Sequence, residues 1–115
     1  MMKTVAPLSK TDRVRVLNDN FRSTFIGGKV VMTQGVNALP LDTKARVFLA
    51  VQAFSNFTKE NDPHGEHDFC NFDIEGETYF FKLDYYSLDM EGGSEDPAEP
   101  AITTRVLTLM RADEY

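Results

Sequence analysis

The chain is poor in cysteine, has no long apolar run and carries almost no positive charge through its second half. A single thiol, Cys70, cannot build an intramolecular disulfide framework and suits a reducing compartment. No stretch approaches the roughly 18 to 20 apolar residues of a membrane-spanning helix. The opening MMKTVAPLSK also lacks the apolar run of a secretory signal. The expectation is a cytoplasmic protein with no membrane contact. Between residues 62 and 99 twelve acids stand against Lys82 alone, a balance of −11, whereas residues 1 to 61 hold nine Lys/Arg and four acids, +5. The net charge is −6. Direct nucleic-acid binding is disfavoured, because phosphate binding wants a basic surface. An acidic surface that occupies a site built for nucleic acid stays open.

What the chain does contain is ordinary for a folded domain: 115 residues, 42% apolar and 26% charged. That length predicts a single domain over 1–115, with an N-terminal tail at 1–8. A helix is expected from about Ser9 to Ser23, started by Ser9 with Asp12 and buried along Val14, Leu17 and Phe21. Arg13, Arg15 and Arg22 lie mainly off that stripe and read as a solvated face. Gly27-Gly28 should end the helix and open a strand in KVVMTQGV. Asp42 can cap a second helix facing inward through Val47, Ala50, Val51, Phe54 and Phe57, stopped by Asn61-Asp62-Pro63.

The best-determined feature is a hairpin turning at Glu75-Gly76. Its register sets Ile74 against Glu77, Phe72 against Tyr79, Cys70 against Phe81 and Asp68 against Leu83. One face then collects Cys70, Phe72, Ile74, Tyr79, Phe81, Leu83 and Tyr85, as a half-buried sheet requires. The other face pairs Phe69 with Lys82 and His67 with Asp84. Residues 87–100, SLDMEGGSEDPAEP, read as an acidic, Gly/Pro-rich loop or flexible flap, longer than a typical connection. AITTRVLTLM fits helix or strand; its threonines with Ile and Val favour strand. The fold class is therefore α+β: two helices packed on an antiparallel sheet of about four strands, in the order α-β-α-β-β-β.

The segments VLNDNFR (16–22), GGKVVMTQGV (27–36), NDPHGEHDF (61–69), FFKLDYY (80–86) and DPAEPAITTRVLTLMRADEY (96–115) resemble a bacterial family known as domain of unknown function 3768. The resemblance implies a small stand-alone protein whose genes sit on plasmids and integrated mobile elements, near antirestriction and partition-type genes. It implies no activity, so no catalytic residue carries over.

NDPHGEHDF holds both histidines and three acids. His64, Glu66 and His67 could ligate zinc or another divalent metal ion. Pro63 and Gly65 deny the helix on which zinc hydrolases usually present paired histidines, and there is no third histidine. Cys70 points into the core and is a poor ligand or nucleophile. The competing reading is structural: Asn61, Asp62, Pro63 and Gly65 build a turn and His67 bonds Asp84. This structural reading leads, and a covalent enzyme lacks a nucleophile in any activating context. Three function classes follow. The first is a non-enzymatic protein-binding module that needs no cofactor, anchored by Phe69, Phe80 and Tyr86 with Asp89, Glu91, Glu95, Asp96 and Glu99. Its most concrete form is an acidic inhibitor of a host defence nuclease, of antirestriction or anti-CRISPR type. The second is a metal-dependent enzyme built on the histidine cluster. The third is a homodimer that buries Phe69, Phe80 and Tyr86.

Overall fold

A computed structural model describes residues 8–115. The tail expected at 1–8 lies outside the described residues except for Leu8. Ser9 caps the first helix as its spacing predicts, its hydroxyl accepting the Asp12 amide at 3.0 Å. Helix α1 runs Lys10–Thr24 and buries Val14, Asn18, Phe21 and Arg22. It stops at Phe25, which turns left-handed at φ 59° and returns its amide to the Phe21 carbonyl, so the glycine pair is not the stop signal. Gly28 serves a closer purpose. A Cβ there would stand 2.5 Å from the Arg105 carbonyl oxygen and under 3 Å from the Phe21 ring. Only glycine lets the chain pass at that distance.

Strand β1 is short, Lys29–Met32, and the expected strand does not continue to Val36. Residues Gln34–Asn37 instead form a one-turn helix, α2, that buries Val36 completely. Helix α3 spans Leu41–Ala53 with Pro40 at its cap position, so Asp42 lies in the first turn and does not cap. The helix was expected to reach Asn61 but ends at Ala53. The Arg22 guanidinium draws off the carbonyls of Val51 and Phe54 at 3.0 and 2.8 Å. Phe54 and Phe57 continue beyond it and still reach the core, edge-on to the Phe81 ring at 5.5 and 6.3 Å.

Strands β2 (Phe69–Ile74), β3 (Glu77–Tyr86) and β4 (Thr104–Arg111) complete a four-stranded sheet in the order β1-β4-β3-β2. The α+β class stands, and so does the strand reading of the last segment. The β2–β3 register is the predicted one, from Phe69 against Lys82 to Ile74 against Glu77. Glu75 and Gly76 turn with φ of 54° and 84°, the consecutive positive values of the favoured two-residue hairpin turn. One expectation is corrected: the sheet is mixed, because β1 runs parallel to β4, Lys29 beside Val106 through Met32 beside Leu109. No tight turn links these two strands, so none forces them antiparallel. The close passage at Gly28 starts β1 where β4 starts, and the two strands then run the same way.

The helices cover one sheet face. Phe21, Val36, Val47 and Val51 meet Cys70, Tyr79, Phe81, Leu83, Leu107 and Leu109 in a single core. Phe81 is fully buried, which is worth about 1.5–3 kcal/mol for such a side chain. Among the described residues no helix is long and apolar enough to cross a membrane.

Candidate functional site

The NDPHGEHDF segment forms a loop folded back onto α1. Asn61 fixes its entry: the side-chain oxygen accepts the Thr58 amide at 2.7 Å and the side-chain amide donates to the Asn56 carbonyl at 2.8 Å. Asp62, almost wholly buried, accepts the His67 amide on both carboxylate oxygens at 3.2 and 3.3 Å. That pull accompanies a left-handed backbone at His67, φ 54°, which is uncommon for a residue with a side chain.

The twist sends the His67 ring to the helical side of the sheet and away from Asp84, correcting the expected His67–Asp84 pair. Asp84 lies 3.3 Å from the Lys82 ammonium instead. The imidazole stacks on Phe57, centroids 3.8 Å apart and planes within 5°. Its Nδ1 is 2.8 Å from Asp19 on α1, and its Nε2 is 3.6 Å from Asp62. Asp19 is shared, because Arg22 donates to the same carboxylate at 2.9 Å. Arg22 is buried, not solvated as its place off the apolar stripe suggested, and it lies over both Phe57 and Phe81.

A second set of contacts runs deeper. Asn18 is fully buried; its side-chain amide donates to the Glu66 carbonyl at 3.0 Å and to the Tyr85 hydroxyl at 2.8 Å. Tyr85 in turn donates to the Glu66 carboxylate at 2.8 Å. Arg105, also buried, donates through Nε to the Asn18 side-chain oxygen at 2.9 Å and through Nη2 to the Pro97 carbonyl. Its guanidinium lies over the Tyr85 ring. Burial pushes the Tyr85 hydroxyl far up from its ordinary range, so it stays protonated, donating to Glu66 while accepting from Asn18. Arg15 closes the arrangement by donating to the Gly65 carbonyl at 3.0 Å. The chain thus binds α1, β3, β4 and both long loops through one set of partnered polar groups, the condition under which buried polar residues stabilise.

The sequence reading missed Asn18 and Arg105. A signal for Asn18 was present: it stands four residues after Val14 and three before Phe21, on the apolar stripe itself. A polar residue there needs buried partners.

The structure does not gather the proposed metal ligands around a common point. His64 is exposed, Glu66 turns to Tyr85, and His67 turns to Asp19 and Asp62. Among the described residues no three His, Cys, Asp or Glu side chains form a group that could hold a metal ion. Asp68 is pushed up from the usual carboxylate range, chiefly by burial and further by Glu66 and Asp62. Cys70 is buried, and desolvation raises its thiol, as expected for an inert core cysteine.

Phe69 and Phe80 lie on the sheet face away from the helices, 5.4 Å apart by centroid, and the Tyr115 ring packs on each at 5.4 Å. Tyr86 is half-buried at the end of β3, where it bridges to Gly93.

The five acids of the other loop sit on a segment that is pinned along its length. The Ser87 amide donates to Gly92 and the Met90 amide to Ser87, at 2.8 and 2.9 Å. Asp89 accepts the Ser87 hydroxyl at 2.6 Å and the Glu91 amide at 3.0 Å. Asp96 accepts the Ala98 amide at 3.1 Å, and the hydroxyls of Ser94 and Thr103 meet at 2.7 Å. Glu99 accepts the Ala101 amide at 3.0 Å, capping a short 3-10 turn over Pro100–Ile102. The Ser87 hydroxyl holds the Asp89 carboxyl below its usual range; for Asp96 the Ala98 amide does the same, helped by Lys10. Glu91 and Glu95 point into solvent, and among the described residues neither accepts a hydrogen bond. The expected flap is therefore a built loop in which three of the five acids hold its shape.

Searches among curated proteins and among solved structures returned no significant match. A family profile does match, over residues 32–114, so the VLNDNFR segment of α1 lies outside the matched span. On that match, which covers most of the chain, the protein belongs to the family described as Protein of unknown function (DUF3768).

Proposed function

We propose that the chain is a non-enzymatic protein-binding module whose acidic loop occupies a basic, nucleic-acid-binding groove on a protein partner. The observation that carries this reading is the pinned geometry of residues 87–103. Five acids and no base lie between Ser87 and Pro100, on a segment whose backbone is already ordered by its own side chains. A preformed charged strip binds without the cost of ordering it first, and its charge steers association toward a basic surface. Met90, at the loop tip, is held left-handed at φ 64°.

The histidine loop supports the same reading from the other side. Asp62, Glu66 and His67 of that loop are engaged with partners inside the chain, which favours an architectural role for them. The mobile-element setting implied by the family resemblance makes a host defence nuclease the partner class of choice.

The test is affinity capture from bacterial lysate at low and high salt. Wild type is compared with a variant neutralised at Asp89, Glu91, Glu95, Asp96 and Glu99. A nucleic-acid-binding protein captured by wild type, released by salt and lost with the variant is the expected result. Capture that survives both changes would overturn the electrostatic reading.

A further inference from the structure

The acidic loop also encloses an apolar hollow. Ser87, Leu88, Gly93, Glu95 and Ile102 line an open recess of ≈280 Å³. Leu88 is 63% exposed and Ile102 41%, so two large aliphatic side chains face solvent there without a partner of their own. The walls are fixed before any ligand arrives: Tyr86 bridges antiparallel to Gly93, the Ser94 amide donates to the Tyr85 carbonyl at 3.0 Å, and Ile102 ends the turn capped by Glu99. No lysine or arginine lines the recess, and Glu95 stands on its rim.

We propose that this hollow takes one large apolar side chain from a lysine- or arginine-rich segment of the protein partner. The inference rests on the acidic-strip reading and specifies its anchor. Charge complementarity selects the flanks of the segment, since Glu95 lines the recess and Asp89, Glu91 and Glu99 lie on the same loop. Apolar burial selects its centre, because a side chain seated against Leu88 and Ile102 removes both from water. The arrangement matches a binding hot spot, an apolar anchor inside a polar rim.

The chain contains no tryptophan, so the indole of a bound peptide can be followed without interference. Two synthetic peptides serve as probes: six lysines around a central tryptophan, and the same peptide with glycine at the centre. The tryptophan peptide should bind roughly tenfold more tightly than the glycine peptide, with its emission shifted to the blue. In the Leu88→Ser/Ile102→Ser variant the shift should vanish and the ratio fall to about twofold or less, while glycine-peptide affinity stays unchanged. Both residues are exposed in the folded chain, so that variant keeps its core. Equal, salt-sensitive binding of the two peptides would overturn the hollow and leave the acidic strip standing. Absence of binding by either peptide at low salt would overturn both. Self-association of the protein that Leu88→Ser/Ile102→Ser abolishes would assign the hollow to a second copy and overturn the proposal as stated.

Discussion

The two long loops of this protein are alike in composition and opposite in the way their side chains face. Residues 58–68 and 87–103 are each acidic, and each is broken by proline and glycine. The first turns its polar groups inward: Asp62 on the His67 amide, His67 against Asp19, Glu66 on Tyr85. The second ties its backbone with Asp89, Asp96 and Glu99 and leaves Glu91 and Glu95 in solvent. Density of titratable residues therefore does not tell an inward-turned loop from a displayed one. What separates the loops is where their side chains turn: Glu66 and His67 of the first meet Tyr85 on β3 and Asp19 on α1, whereas Glu91 and Glu95 of the second stay in solvent.

The sharpest way to break this contrast is at Asn18. Replacing Asn18 with Ala removes three hydrogen bonds and strands the buried Arg105 guanidinium. Denaturant unfolding should show a loss of about 3 kcal/mol, the scale for breaking a buried charged network. A loss below about 0.5 kcal/mol would mean the inner loop is not anchored as described.

A smaller effect is expected at Asp68. Burial raises its folded pKa, so the folded state favours the protonated acid, and the ionised form subtracts stability as pH rises past the unfolded pKa. Asp68→Asn should raise the thermal midpoint at neutral pH, and the gain should fade as pH drops below the ordinary aspartate range near about 3.9. A gain that persists undiminished in acid would contradict that origin. The smallest effect belongs to His64, which is exposed. His64→Ala should change stability by less than about 0.5 kcal/mol, and a larger loss would show that the outer histidine also carries structure.

Much of the fold was legible because local rules and burial agreed. The Ser9 cap, the hairpin turn and the full β2–β3 register follow from spacing and alternation alone. The parallel β1–β4 pairing was not legible. It depends on a close approach between Gly28 and Arg105, far apart in sequence, which no periodicity reports. For the same reason α3 ends early: the competing donor, Arg22, comes from another helix. The structural character of NDPHGEHDF was visible in its Pro-Gly pattern, but its partners were misplaced. The period-two rule carried His67 into the strand, whereas its left-handed backbone turns it out of that register.

The most direct measurement sets the two loops side by side by equilibrium unfolding of His67→Ala and of Glu91→Gln/Glu95→Gln. The first loses the Phe57 stack and the carboxylate contacts and should cost about 2 kcal/mol. The second should stay within about 0.5 kcal/mol of wild type. A histidine variant of native stability, or an acid pair as damaging as the histidine change, would contradict the division between an architectural loop and a displayed one.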